Sequence, residues 1–345
     1  MGFILGILIA SFLIQGASLV PYINLLYKLK LQRQKQKTKD AFNIPTPIFD
    51  NFNKHKAGIP LGGGLLIIVI TTILFLISFP ILFYFWVPIT SNYNNIYVEI
   101  KIILFTFISF GLIGLYDDLK KIFFGRPDNF FGLRLRNKLT LEIILALIVS
   151  YWLFADLKIS IIHIPFFGVF DLQWVFILFA AFVIISFANA YNITDGLDGL
   201  ASGVLMISLV AFWVISHAIL DTTLSIFIAA WLGGLIAFLY FNIYPARLFL
   251  GDVGALSFGA TFAVIGLLLG KTFSLIVIGG IFVMEILSSF LQLISKKYRG
   301  KKLLSVSPVH LWLQHRGWHE TTIVFRFWVV SVMLSIIGLW LAFIN

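Results

Sequence analysis

The sequence contains no cysteine among its 345 residues. That excludes disulfides and thiolate metal sites, and it leaves the redox compartment unreadable. Charge is also scarce. Asp, Glu, Lys and Arg make up 12% of the chain, against about 25% in soluble domains. Acidic residues are the rarer sign, 15 against 25 Lys and Arg. A chain this poor in charge and 60% hydrophobic has the bilayer as its solvent, so its backbone polar groups must be satisfied within helices or a closed barrel. The alternation of apolar and polar residues over about 10-residue segments that marks a membrane barrel is missing too. The opening Met1-Gly-Phe-Ile-Leu lacks the basic stretch of a cleaved signal peptide, and it reads as the start of a retained first span. No nucleic-acid partner is expected.

What is present is a series of long apolar runs, each close to the roughly 20 residues needed to cross a bilayer as a helix. They predict an all-α integral membrane protein with about ten transmembrane helices. The runs lie at 2–27, 61–86, 99–116, 139–154, 173–189, 200–216, 222–242, 254–270, 272–294 and 322–343, and they form one polytopic domain over 1–345. Around Lys271 the pattern also fits one long broken helix plus a short one. Pro80 and Pro88 are expected to end or kink the second span.

Ten spans put both termini on one side. The odd-numbered loops, 28–60, 117–138, 190–199, 243–253 and 295–321, then hold 21 of the 25 basic residues. They include Arg33, Lys35, Lys37, Lys39 and Arg126. The positive-inside rule assigns these loops to the cytoplasm. Anchoring to anionic headgroups accounts for the run Lys28–Lys39. The unusual polar segments all fall on the same odd loops, so the chemistry is expected on the cytoplasmic face, with the lipid bilayer beside it.

Five segments stand out. In Asn189-Ala-Tyr-Asn192-Ile-Thr-Asp195-Gly-Leu-Asp198-Gly-Leu200, four polar residues recur every three positions and would share one helix face. Ionisable groups beside hydrocarbon tend to be functional, although two Asp-Gly pairs also suit a helix-ending turn. Gly114-Leu-Tyr-Asp117-Asp118-Leu-Lys120-Lys121 places two carboxylates beside lysines. Such a pair can hold a hard divalent cation or act as a base, and it fits a solvated helix end equally well. Pro245-Ala-Arg247-Leu-Phe249-Leu-Gly251-Asp252-Val-Gly254 flanks an acid with glycines, making Asp252 a candidate metal ligand or a helix N-cap. Ser307-Pro-Val-His310 opens a histidine- and tryptophan-rich loop running to Glu320. There His310 could bind phosphate or shuttle a proton, or the loop could serve as an interfacial anchor. His55-Lys56-Ala-Gly58-Ile-Pro60-Leu-Gly62-Gly63-Gly64 leads into the second span. His163 and His217 read as structural. Glu285 lies mid-span without a partner readable from sequence. Together the segments suit transfer between a soluble phosphorylated donor and a membrane-embedded acceptor, with Mg²⁺ neutralising a diphosphate held by lysines. A transporter or scaffold without chemistry would instead carry paired ionisable groups at its midplane.

Asp117-Asp118-x-x-Lys121, Asn189-x-x-Asn192-x-x-Asp195-Gly-x-Asp198-Gly-Leu200, Pro245-Ala-x-x-Phe249-x-Gly251-Asp252 and Pro308-Val-His310 occur in this order. They resemble the polyprenyl-phosphate N-acetylhexosamine-1-phosphate transferases over nearly the whole chain. Lys56-x-Gly58-x-Pro60-x-Gly62-Gly63, Gly317-Trp318-x-Glu320 and Arg326-Phe327-Trp328 are most similar to the phospho-N-acetylmuramoyl-pentapeptide transferase (MraY) group of that superfamily. The WecA-type GlcNAc-1-phosphate transferases are the alternative. The resemblance implies ten transmembrane helices, termini outside, a homodimer, Mg²⁺ and a bacterial cytoplasmic (inner) membrane. The implied reaction moves phospho-MurNAc-pentapeptide from UDP-MurNAc-pentapeptide to undecaprenyl phosphate, giving lipid I and UMP.

Residue by residue, the resemblance makes Asp117, Asp118, Asp252 and His310 catalytic, with Asp117 deprotonating the lipid phosphate. Asp252 and Asn192 become metal ligands, and Lys121 and Lys138 hold phosphates. Lys56, Asp198 and Phe249 line a uridine pocket, and Asn189 and Asp195 join donor recognition. The chain departs from the group at His310-Leu311-Trp312, where three consecutive histidines are common. It also has Gln314 in place of the usual acid and Ile59 in place of threonine.

Overall fold

The computed structural model describes residues 2–32, 46–123 and 132–344. The basic residues Arg33, Lys35, Lys37, Lys39 and Arg126 lie outside these. In chain order the helices are α1 (Gly2–Lys28), α2 (Pro47–Phe52), α3 (Gly63–Tyr84), α4 (Ile96–Phe123), α5 (Leu135–Ala155), α6 (Val175–Thr194), α7 (Leu200–Ala218), α8 (Thr222–Asn242), α9 (Gly251–Leu268), α10 (Thr272–Ile278), α11 (Gly280–Arg299), α12 (Val309–His315) and α13 (Glu320–Phe343). A single 3-10 turn covers Lys54–Lys56.

Among the described residues, nine helices are long and apolar enough to span a bilayer. The tenth expected span, 272–294, is broken. It is the pair α10 and α11, bent by 78° at Gly279. The second half of α11 is amphipathic and ends in Lys296, Lys297 and Arg299, a composition that leaves the hydrocarbon. Pro80 lies in α3 four residues before its end, and Pro88 follows in the next loop. Besides the short helices α2 and α12 and the 3-10 turn inside the expected loops, one hairpin has no counterpart in the sequence reading. Between α5 and α6, Ile161–Ile164 (β1) pairs antiparallel with Gly168–Asp171 (β2). Its β-branched and aromatic residues around Gly168 are ordinary hairpin material.

Burial grades from the rim to the centre. The most apolar window of α9 is 94% buried and that of α1 only 22%, so α9 is the hub and α1 faces lipid. α9 packs against α3, α4 and α6. Its centre is aromatic: Phe107 stacks on Phe258 with centroids 5.8 Å apart, and Trp231 meets Phe258 edge-on at 5.1 Å. Lipid tails are as apolar as these rings, so close packing rather than water exclusion holds such helices together. At the end of the bundle where the polar motifs lie, the packing becomes backbone to backbone. A Cβ on Gly114 would stand 2.1 Å from the carbonyl oxygen of Asp252. One on Gly64 would stand 2.3 Å from Cα of Gly254. Only glycine permits α4 and α3 to approach the start of α9 this closely.

Gly114→Ala should therefore force α4 and α9 apart at the motif end. A destabilisation at or above the upper end of the about 1–3 kcal/mol typical of overpacking is expected. A thermal-melt comparison in detergent checks it. Unchanged melting would show that the crossing is looser than described.

Candidate active site

Two carboxylate-bearing helix ends meet at this crossing. Asp117, Asp118 and Lys121 sit on the last turns of α4, and Asp252 on the first turn of α9. Asp118 Oδ2 accepts the Val253 N–H at 3.1 Å, satisfying one of the free amides at the start of α9 and placing negative charge at its positive end. The N-cap position is Leu250, so Asp252 is not the cap. Its carboxylate is free for other work. Lys121 Nζ lies 2.7 Å from Asp252 Oδ2 and 3.0 Å from Asp117 Oδ2. Lys138, from the first turn of α5, lies 2.7 Å and 3.3 Å from the same two oxygens. Two cations thus bridge two anions. The remaining Asp117 oxygen accepts the Leu133 N–H.

A second cluster lies beside the first. Lys56 Nζ is 2.8 Å from Asp198 Oδ1 and 2.6 Å from Glu320 Oε1, and all three side chains are buried. Glu320 also accepts the Asp198 N–H at 2.7 Å, while Asp198 Oδ2 accepts the Ala246 N–H at 2.9 Å. This ties the loop after α6 to the loop before α9 and to the start of α13. The Lys56 segment itself is stitched to the Asp252 segment, because Gly63 donates to the Phe249 carbonyl and Phe249 donates to the Pro60 carbonyl, each at 2.9 Å.

The third element is a histidine–carboxylate pair. Glu285, whose partner the sequence did not reveal, accepts from His310 twice: its Oε2 lies 2.9 Å from the ring Nδ1, and its Oε1 accepts the His310 N–H at 3.1 Å. Both residues are almost fully buried. A carboxylate on Nδ1 fixes the ring and leaves Nε2 facing outward. A Cβ on Gly196 would stand 2.5 Å from that Nε2, which explains the glycine of the first Asp-Gly pair.

All three groups open on one cavity of about 920 Å³. Lys56, Asp118, Lys121, Lys138, Asn192, Asp195, Asp198, Phe249, Asp252 and His310 line it. Of the residues singled out from sequence, Asp117 and Asn189 do not. Asp117 lies behind the lysines it holds. Asn189 donates to Glu142 Oε2 at 2.6 Å and to the Ile185 carbonyl at 3.0 Å. The side chain of His55 lies outside the described residues. Four contributions were not foreseen: Glu142, the roles of Glu285 and Glu320, and Gly132. A Cβ on Gly132 would stand 1.9 Å from Asp117 Oδ1. Glu320 closes the motif Gly317-Trp318-x-Glu320, whose spacing does not point to Lys56, and the other three sit in no motif. Each acts through a residue singled out from sequence.

Among the described residues, no group of three or more His, Asp or Glu side chains is arranged to hold a metal. The available donors are hard oxygens, Asp252 and Asn192, both in the lining of the cavity. That matches Mg²⁺, which takes one or two carboxylates and completes its shell with water and substrate phosphate rather than a protein cage.

The family description glycosyl transferase family 4 matches residues 100–270. The phospho-N-acetylmuramoyl-pentapeptide-transferase of Caldanaerobacter subterraneus subsp. tengcongensis is 35% identical over 322 residues, covering 93% of this chain and 92% of that protein. The chain belongs to the phospho-N-acetylmuramoyl-pentapeptide-transferase family. The Bacillus subtilis member is 33% identical over 84% of this chain and 85% of its own length. The Rickettsia canadensis member is 34% identical over 90% and 86%. Where this chain departs from the family's histidine run, Leu311 is buried on the cavity wall. Trp312 instead carries the Arg316 guanidinium 5.0 Å above its ring.

The pH response of the site can be read at Asp195. Burial, and next the Asp252 charge, push its carboxyl up from 3.8 to about 7, with Lys56 opposing. The folded chain therefore keeps a proton there that the unfolded chain has already lost. Stability from this group is full below about pH 4 and falls as pH rises towards 7. In metal-free buffer, the melting temperature of the parent should drop between pH 5 and 8 more than that of Asp195→Asn. Parallel curves would contradict the assignment.

Proposed function

We infer that this chain transfers phospho-MurNAc-pentapeptide from its UDP carrier to a polyprenyl phosphate, undecaprenyl phosphate in the reading the resemblance supports, giving lipid I and UMP. The observation that carries the inference is the pair of lysines, Lys121 and Lys138, held on Asp117 and Asp252 in the lining of the cavity in a chain of this family. In the reaction, an oxygen of the lipid phosphate attacks the sugar-bearing phosphorus of the donor. The new P–O bond forms as the P–O bond to UMP breaks, and UMP leaves with the electron pair.

The residues divide this work. The donor's diphosphate offers anionic oxygens that compete with the carboxylates for Lys121 and Lys138, so the lysines turn from internal partners to substrate charge. Lys56, Asp198 and Phe249 receive the uridine end. The second ionisation of a phosphate monoester falls near pH 6, so the lipid phosphate is largely dianionic at neutral pH. Asp117 then has a proton to accept only from the remaining fraction. Asp118 holds the start of α9, and with it Asp252, in place. The Glu285-held His310 presents Nε2 to the leaving phosphate, to which it donates when the ring carries its second proton. Asp252 and Asn192 would hold Mg²⁺, which supplies charge neutralisation on the diphosphate.

Two further parts of the proposal rest on the positive-inside count and on the resemblance. The cavity faces the cytoplasm of a bacterial inner membrane, and the chain works as a homodimer. Localisation to that face fits the chemistry, because a nucleotide-linked donor reaches the site from the aqueous compartment.

In detergent, the purified chain should release UMP from UDP-MurNAc-pentapeptide with undecaprenyl phosphate. Addition of EDTA should stop the release and Mg²⁺ restore it. Asp252→Asn and Asp117→Asn should each lose at least about 100-fold in turnover, as expected for a positioned acid–base or charge-holding group. Turnover with UDP-GlcNAc and none with the muramoyl donor would move the assignment to the GlcNAc-1-phosphate transferases. Full activity in both variants would remove the assigned machinery.

A further inference from the structure

The chemistry above leaves one buried acid unused. Glu142 lies on α5 one turn beyond Lys138, is fully buried and does not line the cavity. A buried carboxyl group is costly unless its oxygens find donors. Here only one does. Oε2 accepts the Asn189 amide at 2.6 Å, and Oε1 is buried with no donor among the described residues. Asn189 cannot serve both oxygens, because its amide nitrogen also donates to the Ile185 carbonyl at 3.0 Å.

The cation nearest to this open oxygen along the helix face is Lys138. Side chains lean towards the N-terminus of their helix, so residues four apart meet, and Glu142 leans over the turn that carries Lys138. The two charges act on each other across that turn. A lysine ammonium has three N–H donors. Those of Lys138 go to Asp252 Oδ2 at 2.7 Å and Asp117 Oδ2 at 3.3 Å, which leaves one over. Donor binding upsets this arrangement, because the diphosphate competes with Asp252 for the ammonium. A lysine released from Asp252 ends a flexible four-carbon stem. It stays aimed at a phosphate oxygen only if something on the protein side holds it. Glu142 Oε1 is an open acceptor on its own helix.

We propose that Glu142 is a positioning residue for the transfer: when the donor displaces Asp252, Glu142 Oε1 takes up an N–H of Lys138 and so holds the ammonium on the diphosphate. Through Oε2 the same side chain stays bonded to Asn189, three residues before Asn192 in α6, so α5 and α6 remain fixed to each other while Lys138 changes partner. The proposal rests on the reaction inferred above and deepens it. A bystander charge would act in the opposite sense. An acid buried near an anionic substrate repels it, so removing that charge would tighten donor binding.

Calorimetric binding of UDP-MurNAc-pentapeptide, with Mg²⁺ and without the lipid acceptor, tests this in the parent, Glu142→Gln, Lys138→Met and the double variant. Glutamine keeps an oxygen for Asn189 and puts its NH₂ where Oε1 stood, facing a lysine from which it cannot accept. A hydrogen bond to a charged group is worth about tenfold or more in an equilibrium constant. Glu142→Gln should weaken donor binding by about that factor. Its donor-free melting temperature should be no lower than the parent's, because Oε1 has no bond to lose before the donor arrives. In the Lys138→Met background the same change should alter binding by less than about twofold. Tighter binding in Glu142→Gln would mark a bystander charge and overturn the proposal. Equal weakening in both backgrounds, or weakening with a lower donor-free melting temperature, would mark packing and overturn it as well. So would unchanged binding. Should Lys138→Met fail to fold, the sign of the Glu142→Gln effect and its donor-free melting decide between these outcomes. If the parent neither binds the donor nor releases UMP from it, the reaction itself is wrong, and the role of Glu142 falls with it. If the parent binds and turns over and only the variant pattern fails, the role of Glu142 alone is wrong.

Discussion

The site depends on one crossing, where Gly114 of α4 lies against the backbone of Asp252 at the start of α9. Two helix ends carrying acids can come this close only if something neutralises them and nothing but hydrogen stands between the backbones. Glycine supplies the second condition. Lys121 and Lys138 supply the first, each within 3.3 Å of both Asp117 and Asp252. Partly buried charges are costly when alone and tolerable when paired. The same pairing that lets the bundle close therefore stores two lysines at the place where an anionic substrate would need them.

Substrate binding then becomes an exchange of partners rather than the creation of a charge. The lysines are already desolvated and positioned, so a diphosphate entering the cavity competes for them with two carboxylates. The carboxylates so released would suit a hard cation, which would supply charge neutralisation. The arrangement would couple binding of the donor to the freeing of Asp252, whose carboxylate, with Asn192, would then be available to hold a hard cation. The Lys56–Asp198–Glu320 cluster plays a different part. It is buried and closed by backbone donors, and it fixes the three loops whose mutual position defines the cavity.

Much of this was legible in the sequence because a bilayer permits few solutions. Apolar runs of about 20 residues gave nine of ten spans close to their observed bounds. The break of the tenth at Gly279 was not legible there, because hydropathy carries no direction, and a 78° bend between two apolar segments leaves the composition unchanged. The polar motifs were conspicuous against hydrocarbon, and ten of the candidate site residues line one cavity. The supporting residues were less visible. Glu142, Glu285 and Glu320 are isolated acids whose partners lie 47, 25 and 264 residues away, and no local spacing encodes such a pairing. Asn189 shared the three-residue rhythm of its neighbours, yet it faces Glu142 because it lies a full turn deeper in α6 than Asn192. The β1–β2 hairpin went unseen because eight residues of strand are too short to stand out beside long apolar runs.

The central claim is that chemistry occurs at the sugar-bearing phosphorus, between the two lysines, and not at the sugar carbon. A donor labelled at that phosphorus tests it most directly. After a single turnover with polyprenyl phosphate, the account predicts the label in the lipid fraction and unlabelled UMP in the aqueous phase. Label recovered as UDP, with an unlabelled glycolipid, would place bond cleavage at the sugar and contradict the account.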